Sequence, residues 1–419
     1  MPGSRRSRGL RAVAAVAVLS LGASGCWLQR GATAGRERYV PGDTPITPDR
    51  ADDLVELWRT TGLGQGLLEP LASGDDVFAA SSGGGSVSRL SASTGAVHYT
   101  VPLADPATGG PVRLSALIDN GGELRAAWGV GSATFVGGVA RLAPDTGELL
   151  EPLVGGDYVP VDFAADRDEL VTQAAWVVIP LGPPQGEAYV AWRGIRATFG
   201  FHQPFSMGNA AVAGDHLVWR TGATALGWNG TACTRPSRLL DGTPSCLPDW
   251  QTDVPGVSTN PTAIGTDAVA FGSGPNAVTV LDAATGAVRF TGTVPNTASS
   301  VTEAAVAGDT ILVGTGDGHI VALPAGGCAP ATVCAPLWQA QVGSAVYVPP
   351  TVAGDVVYVV TDDGDLVTLA LHGCGAATCP AIAGYPIGVA DPDSAMAPVY
   401  DDGRIFVATS DGQVVAFGL

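Results

Sequence analysis

An all-β fold made of one repeated four-stranded unit is what the sequence predicts, on three observations. Runs of β-branched and aromatic residues recur along the chain at a near-constant period. An Asp-Gly turn divides each clear copy into two strands. A second turn, Thr-Gly, then leads toward a large apolar or aromatic residue at a matching place. Strands of this length at this period stack as the blades of a propeller rather than as a helical solenoid.

The clearest copies are Gly308–Leu323, Gly354–Leu369 and Asp402–Phe417. In each, a turn opens an apolar run, Asp317-Gly318, Asp363-Gly364 or Asp411-Gly412 reverses it, and an alternating strand follows. Glycine accepts the positive φ such a hairpin turn requires, so Asp-Gly between apolar runs is a strong hairpin signal. Taking Asp76, Glu123, Asp168, Asp215, Asp267, Asp309, Asp355 and Asp402 as anchors gives spacings of 47, 45, 47, 52, 42, 46 and 47 residues. The expectation is an eight-bladed propeller of four-stranded antiparallel blades over residues 51–419.

The turns Ser93-Thr94-Gly95, Asp145-Thr146-Gly147 and Ala284-Thr285-Gly286 lie between the third and fourth strands of their units. Tyr99, Leu150, Trp250, Phe290, Trp338 and Tyr385 occupy the places after such turns, where an aromatic packs one sheet on the next. The last copy ends at Leu419, directly after its third strand. Leu54–Thr60, which carries Trp58, is expected to complete that blade as its fourth strand and close the ring, removing two free sheet edges.

Seven cysteines divide into three local pairs and one single residue. Cys233 with Cys246, Cys328 with Cys334 and Cys374 with Cys379 fall where other units carry Thr-Gly, and read as disulfide-stapled loops. Their spacing matches neither zinc nor thioredoxin-like sites. The single Cys26 follows Arg5, Arg6, Arg8, Arg11 and the short apolar stretch Ala12–Ala23, which is too short to span a bilayer. Ala23-Ser24-Gly25-Cys26 resembles the lipobox of bacterial lipoproteins. The resemblance implies that residues 1–25 are a signal peptide, that Cys26 is lipidated, and that the protein is anchored to the outer face of the cytoplasmic membrane. Residues 26–50, polar and without periodicity, read as a tether.

Without residues 1–25 the chain has 17 basic against 39 acidic residues, a formal charge of −22, and no lysine. That surface repels nucleic acid and excludes a lysine-bearing phosphate loop. No nucleophile elbow or zinc triad occurs. The five histidines, at 98, 202, 216, 319 and 372, are scattered through unlike positions of the repeat.

The copies at Gly308, Gly354 and Asp402, with the Thr-Gly turns and the closing aromatics, resemble the repeat of the pyrroloquinoline-quinone-like propeller superfamily. The resemblance covers most of residues 54–419. It implies either a quinoprotein dehydrogenase, holding the quinone over the axis with calcium, or a non-enzymatic scaffold. No adjacent cysteine pair and no Glu, Asn and Asp ligand set matches the dehydrogenases, so the expectation is a non-catalytic, monomeric binding or scaffolding lipoprotein without a cofactor. Its partner is expected to be a protein or envelope polymer of basic or neutral character. The connections between blades line the mouth of a propeller's axis, which makes Phe201, His202, Phe205, Glu303, Tyr347, Asp391 and Asp393 the candidate partner-binding residues.

Overall fold

The computed structural model describes residues 31–32, 36–119, 122–130, 136–153, 159–166, 169–178, 185–192, 195–201, 207–221, 223–229, 234–238, 244–254, 259–295, 300–388 and 395–419. Among them the only helical element is one turn at Pro48–Arg50, and the strands form eight sheets. In chain order sheets 1 to 7 begin with Leu71–Ser73, Arg113–Asp119, Val159–Asp166, Met207–Ala213, Thr262–Ile264, Ala305–Ala307 and Thr351–Ala353; sheet 8 begins with Val399–Asp401. Each of these first strands touches the first strand of the next sheet, and Val399–Asp401 touches Leu71–Ser73. They therefore surround a common axis, with the later strands of each sheet stepping outward. The result is an all-β propeller of four-stranded antiparallel blades.

Seven of the sheets carry four antiparallel strands, which corrects the expected eight. Sheet 2 has three, Arg113–Asp119, Leu124–Val130 and Val136–Leu142, and its outer strand is reduced to a single bridge between Leu142 and Leu149. Pro152, three residues on, has no N–H to extend that ladder. Leu150, expected to pack like the other outer residues, is 50% exposed because the strand that would carry it inward is absent. The anchor Asp168 lies outside the described residues, while Glu169 opens a strand of sheet 3.

Local chemistry explains the hairpins. In the last three units a threonine hydroxyl two residues before the Asp-Gly turn accepts a backbone N–H from across it: His319 N to Thr315, Asp365 N to Thr361 and Gln413 N to Thr409. Apolar residues between the turns are buried and pack sheet against sheet, as Phe78, Trp128, Phe271, Tyr358 and Phe406 do.

A second set of contacts repeats at the rim. Trp58, Tyr99, Trp250, Trp338 and Tyr385 each donate from the polar tip to a backbone carbonyl of the neighbouring sheet or its approach: Ala92, Pro144, Ala283, Leu371 and Ala51, at 2.8–3.0 Å. For Trp58, Tyr99, Trp250 and Trp338 the flat part of the ring lies on a turn glycine. At Gly286, φ is +71° and an added Cβ would stand 2.3 Å from Trp250. Gly95 serves Trp58 in the same way, and Gly373, beside a cysteine loop, serves Trp338. The Thr-Gly turn is thus conformationally necessary and also provides the surface on which the preceding blade's aromatic rests.

Val55–Thr60 lies antiparallel beside Val414–Gly418 and forms the outer strand of sheet 8. Trp58 is 8% exposed and sits 5.8 Å from Phe406.

Cys328 is bonded to Cys334 and Cys374 to Cys379. Cys246 is also disulfide-bonded, and its expected partner Cys233 lies outside the described residues. All three loops reach back over the outer strand of the preceding sheet. Cys246 bridges Ala197 in sheet 3, Val333–Cys334 pairs with Thr291 and Gly292 in sheet 5, and Thr378 bridges Gln339 in sheet 6, each in parallel sense. These loops occupy sheet edges that would otherwise be free to recruit another strand.

Replacing Trp58 by Ala is expected to cost about 3–5 kcal/mol, and Gly286→Ala more than about 1 kcal/mol through the disallowed backbone and the clash. Leu150→Ala is expected to stay within about 0.5 kcal/mol. Urea unfolding of the three variants checks the order; a Leu150 effect as large as that of Trp58 would contradict the packing described.

Candidate functional site

The axis is the natural place to look for a site, and the chain's own N-terminal segment occupies it. Tyr39–Val40 runs parallel to Thr351–Ala353, the first strand of sheet 7. Around that short strand the backbone closes three contacts with the surrounding wall. Val306 N donates to the Glu37 carbonyl at 2.7 Å, Val352 N to that of Arg38 at 2.9 Å, and Gly354 N to that of Val40 at 3.0 Å. Inner strands face the axis with an unpaired edge, so a segment in extended form satisfies groups that would otherwise need water.

Three charged side chains accompany it. Arg36 is 2% exposed and donates from Nε to the Ala210 carbonyl of sheet 4. Arg38 is 1% exposed and pairs through Nη2 with Glu69 Oε2 at 2.6 Å, just before sheet 1. The other Glu69 oxygen accepts Gly31 N, and Arg38 N donates to Gly31 O, which holds Gly31 and Arg38 together against Glu69. Both arginines have positive φ, +62° and +55°, a conformation that costs about 1–3 kcal/mol per residue and persists only where surroundings impose it. Between them Glu37 has an oxygen enclosed without a hydrogen-bond partner, and burial pushes its carboxyl up to about 7.

Residues 36–50, expected within a free tether, are therefore docked. After Val40 the chain leaves by the opposite end, where Thr44 meets Gly354 and Pro45 meets Gly403, and then turns outward to Val55–Thr60. Tyr39-Val40 followed by Pro41-Gly42 was the available signal, a short extended run ended by a turn, but two residues carry too little periodicity to be read as a strand.

Beside Arg38 the described residues enclose a cavity of about 140 Å³, lined by Arg38, Glu69, Ser115, Leu117, Pro349 and Met396 among others. Small-molecule sites begin at roughly 300 Å³.

The expected mouth residues divide. Glu303 is 9% exposed and accepts a hydrogen bond from Asn260, with the buried Arg220 close enough to feel its charge. Tyr347 is 58% exposed on the connection into sheet 7. Phe201 ends a strand of sheet 3. His202, Phe205, Asp391 and Asp393 lie outside the described residues, as does Cys26. The described histidines stay apart: His216 meets Asn229, His319 meets Asp317 and His372 meets Asp355.

A family model described as outer membrane protein assembly factor BamB matches residues 209–327 and 302–373. The matched stretch, residues 209–373, is similar to the repeat of that family, and the chain shares the β-propeller fold with the solved structures that follow. BamB from Moraxella catarrhalis is 16% identical with a TM-score of 0.53, the match covering 87% of this chain and 98% of that one. The quinohemoprotein alcohol dehydrogenase ADHIIG from Pseudomonas putida HK5 is 11% identical with a TM-score of 0.61, covering 94% and 80%. The computationally designed protein Ika8 is 15% identical with a TM-score of 0.59, covering 86% and 100%. At these identities the structures share a fold with this chain. No curated protein matches it at a significant level.

The sequence resemblance implies, as one of its two readings, a quinone held over the axis with calcium, so the fit of that group is a specific question. Here the axial space is filled by Arg36–Val40, and the cavity beside Arg38 is too small for a tricyclic quinone. Among the described residues no three or more His, Cys, Asp or Glu side chains converge as a metal donor set. The residues described do not fit the group.

The Glu37 carboxyl gives the docked segment a pH signature. In the folded chain it holds its proton to about pH 7, whereas its ordinary value is 4.5. The folded state thus binds more protons across that window, and stability falls as pH rises through it. Asp401, raised by burial to about 6, acts in the same direction. Glu37→Gln is expected to stabilise the protein by about 1–3 kcal/mol at pH 8 and to leave it little changed at pH 4.5. Unfolding curves at the two pH values check this; an equal shift at both would contradict the buried carboxyl.

Proposed function

We propose that this protein is a non-catalytic, extracytoplasmic lipoprotein that acts as a monomeric binding or scaffolding propeller, through its surface rather than through its axis. The observation that carries the reading is the filling of the axis by Arg36–Val40, with both arginines buried and bonded to the wall. Catalysis on an axial cofactor needs that space; surface recognition does not. In this reading Val55–Thr60 is the clasp that closes the ring, and a stable closed body presents its turns in fixed relative positions.

The expected partner is a protein or envelope polymer of basic or neutral character, because a formal charge of −22 steers cationic surfaces inward and repels anionic ones. The likeness to BamB favours protein interaction in general terms. The likeness to a quinohemoprotein alcohol dehydrogenase favours the second reading, a quinoprotein binding pyrroloquinoline quinone with calcium.

Addition of the quinone with calcium to purified protein distinguishes the two. The expected result is no change in the visible spectrum and no change in melting temperature. A saturable spectral change accompanied by dye-linked alcohol or sugar oxidation would overturn the scaffold reading. The anchor is tested separately by mass spectrometry of the native N-terminus, which is expected to begin at acylated Cys26; an unmodified start elsewhere contradicts it.

A further inference from the structure

We infer that the mouth formed by the connections between sheets faces the membrane and is held close to it, with the opposite, disulfide-stapled face turned away; this rests on the lipidated Cys26 of the reading above. The direction of the axial segment decides the side. The first strand of sheet 7 runs from the connection that carries Tyr347 toward the hairpin turn at Gly354. Tyr39–Val40 is parallel to it, so the chain also travels from the connection mouth toward the hairpin end. The contacts on either side agree. Upstream, Gly31 and Arg38 meet Glu69, which precedes sheet 1 on its connection. Downstream, Thr44 and Pro45 meet the hairpin glycines Gly354 and Gly403. The chain therefore enters the axis through the connection mouth.

Gly31 stands five residue steps after Cys26. Fully extended they reach about 18 Å, less than the thickness of a small domain. Had residues 26–50 been free, the reach would have been about 85 Å, and either face could have met the bilayer. Docking of residues 31–32 and 36–50 removes that freedom and leaves a short leash attached at one mouth. The stapled loops, the Thr-Gly turns and the first-hairpin turns lie at the other end. Asp267, Asp355 and Asp402, whose side chains are 69%, 64% and 79% exposed, belong to those hairpin turns. Each of the three faces a basic side chain, Arg289, His372 and Arg404 respectively.

Hydroxyl-radical footprinting of the full lipidated chain on phosphatidylcholine vesicles reads the orientation from two native side chains. Tyr347 marks the connection mouth, and His372, 69% exposed beside Asp355, marks the opposite face. Relative to the soluble Cys26→Ala protein, the expected result is a several-fold slower oxidation of Tyr347 with His372 unchanged. Insertion of a flexible Gly-Ser segment of about 20 residues between Gln29 and Arg30 is expected to restore Tyr347 oxidation while the protein stays on the vesicles. Equal oxidation of both residues on vesicles, protection of His372 instead, or protection of Tyr347 that survives the insertion would overturn the leash. An N-terminus without acyl chains would overturn the anchor itself, and mass spectrometry of the same sample separates that outcome from the others.

Discussion

Every sheet in this molecule ends in two edges, and the N–H and C=O groups along an edge must find partners or remain in water. That constraint organises the chain. The inner edges face the axis, and those of sheets 6 and 7 receive Glu37–Val40, whose carbonyls accept Val306, Val352 and Gly354 N–H. Three outer edges are overlaid by disulfide-stapled loops, through Cys246, Val333–Cys334 and Thr378. The edge of Val414–Gly418 receives Val55–Thr60 from the other end of the chain. Different local chemistries answer the same need.

The aromatic contacts at the rim act beside this. Trp58, Tyr99, Trp250 and Trp338 each lie on a turn glycine of the neighbouring sheet and donate to a nearby carbonyl, so those blades are fixed to their neighbours by one apolar face and one hydrogen bond. A stapled loop retains the same glycine and adds a bridge to the neighbour's edge, as Gly373 and Thr378 do around Trp338 and Gln339. Disulfides are thus placed where they join the loop's own stiffness to inter-sheet contact. The outer residue of sheet 2 lacks this arrangement: Leu150 is exposed, and its strand is reduced to a bridge.

Much of the fold was legible because its determinants are local. Asp317-Gly318, Asp363-Gly364 and Asp411-Gly412 form hairpin turns with positive-φ glycines, and Thr285-Gly286 forms the turn before a fourth strand. Trp58 was readable as an outer-strand aromatic because its surroundings repeat those of Trp338. The axial segment was not legible, for a physical reason. Its partners, Glu69, Ala210, Val306 and Val352, stand 31 to 314 residues away in sequence, and its buried groups are charged. A polar stretch without periodicity reads as a tether, and only the assembled wall turns it into a buried strand. The candidate mouth was legible in part: Tyr347 is exposed as a recognition residue would be, whereas Glu303 is buried in a bond with Asn260.

The docked axial segment links these observations, since it pairs with the inner strands of sheets 6 and 7 and sets the side on which the chain emerges. Residue-resolved hydrogen exchange of the Val306, Val352 and Gly354 amides tests it most directly, because their partners are carbonyls of the axial segment. A docked segment predicts that all three exchange as slowly as amides within the strand ladders, and that removal of residues 31–41 releases these three selectively. Exchange of the three at the rate of unprotected amides in the intact chain would contradict it.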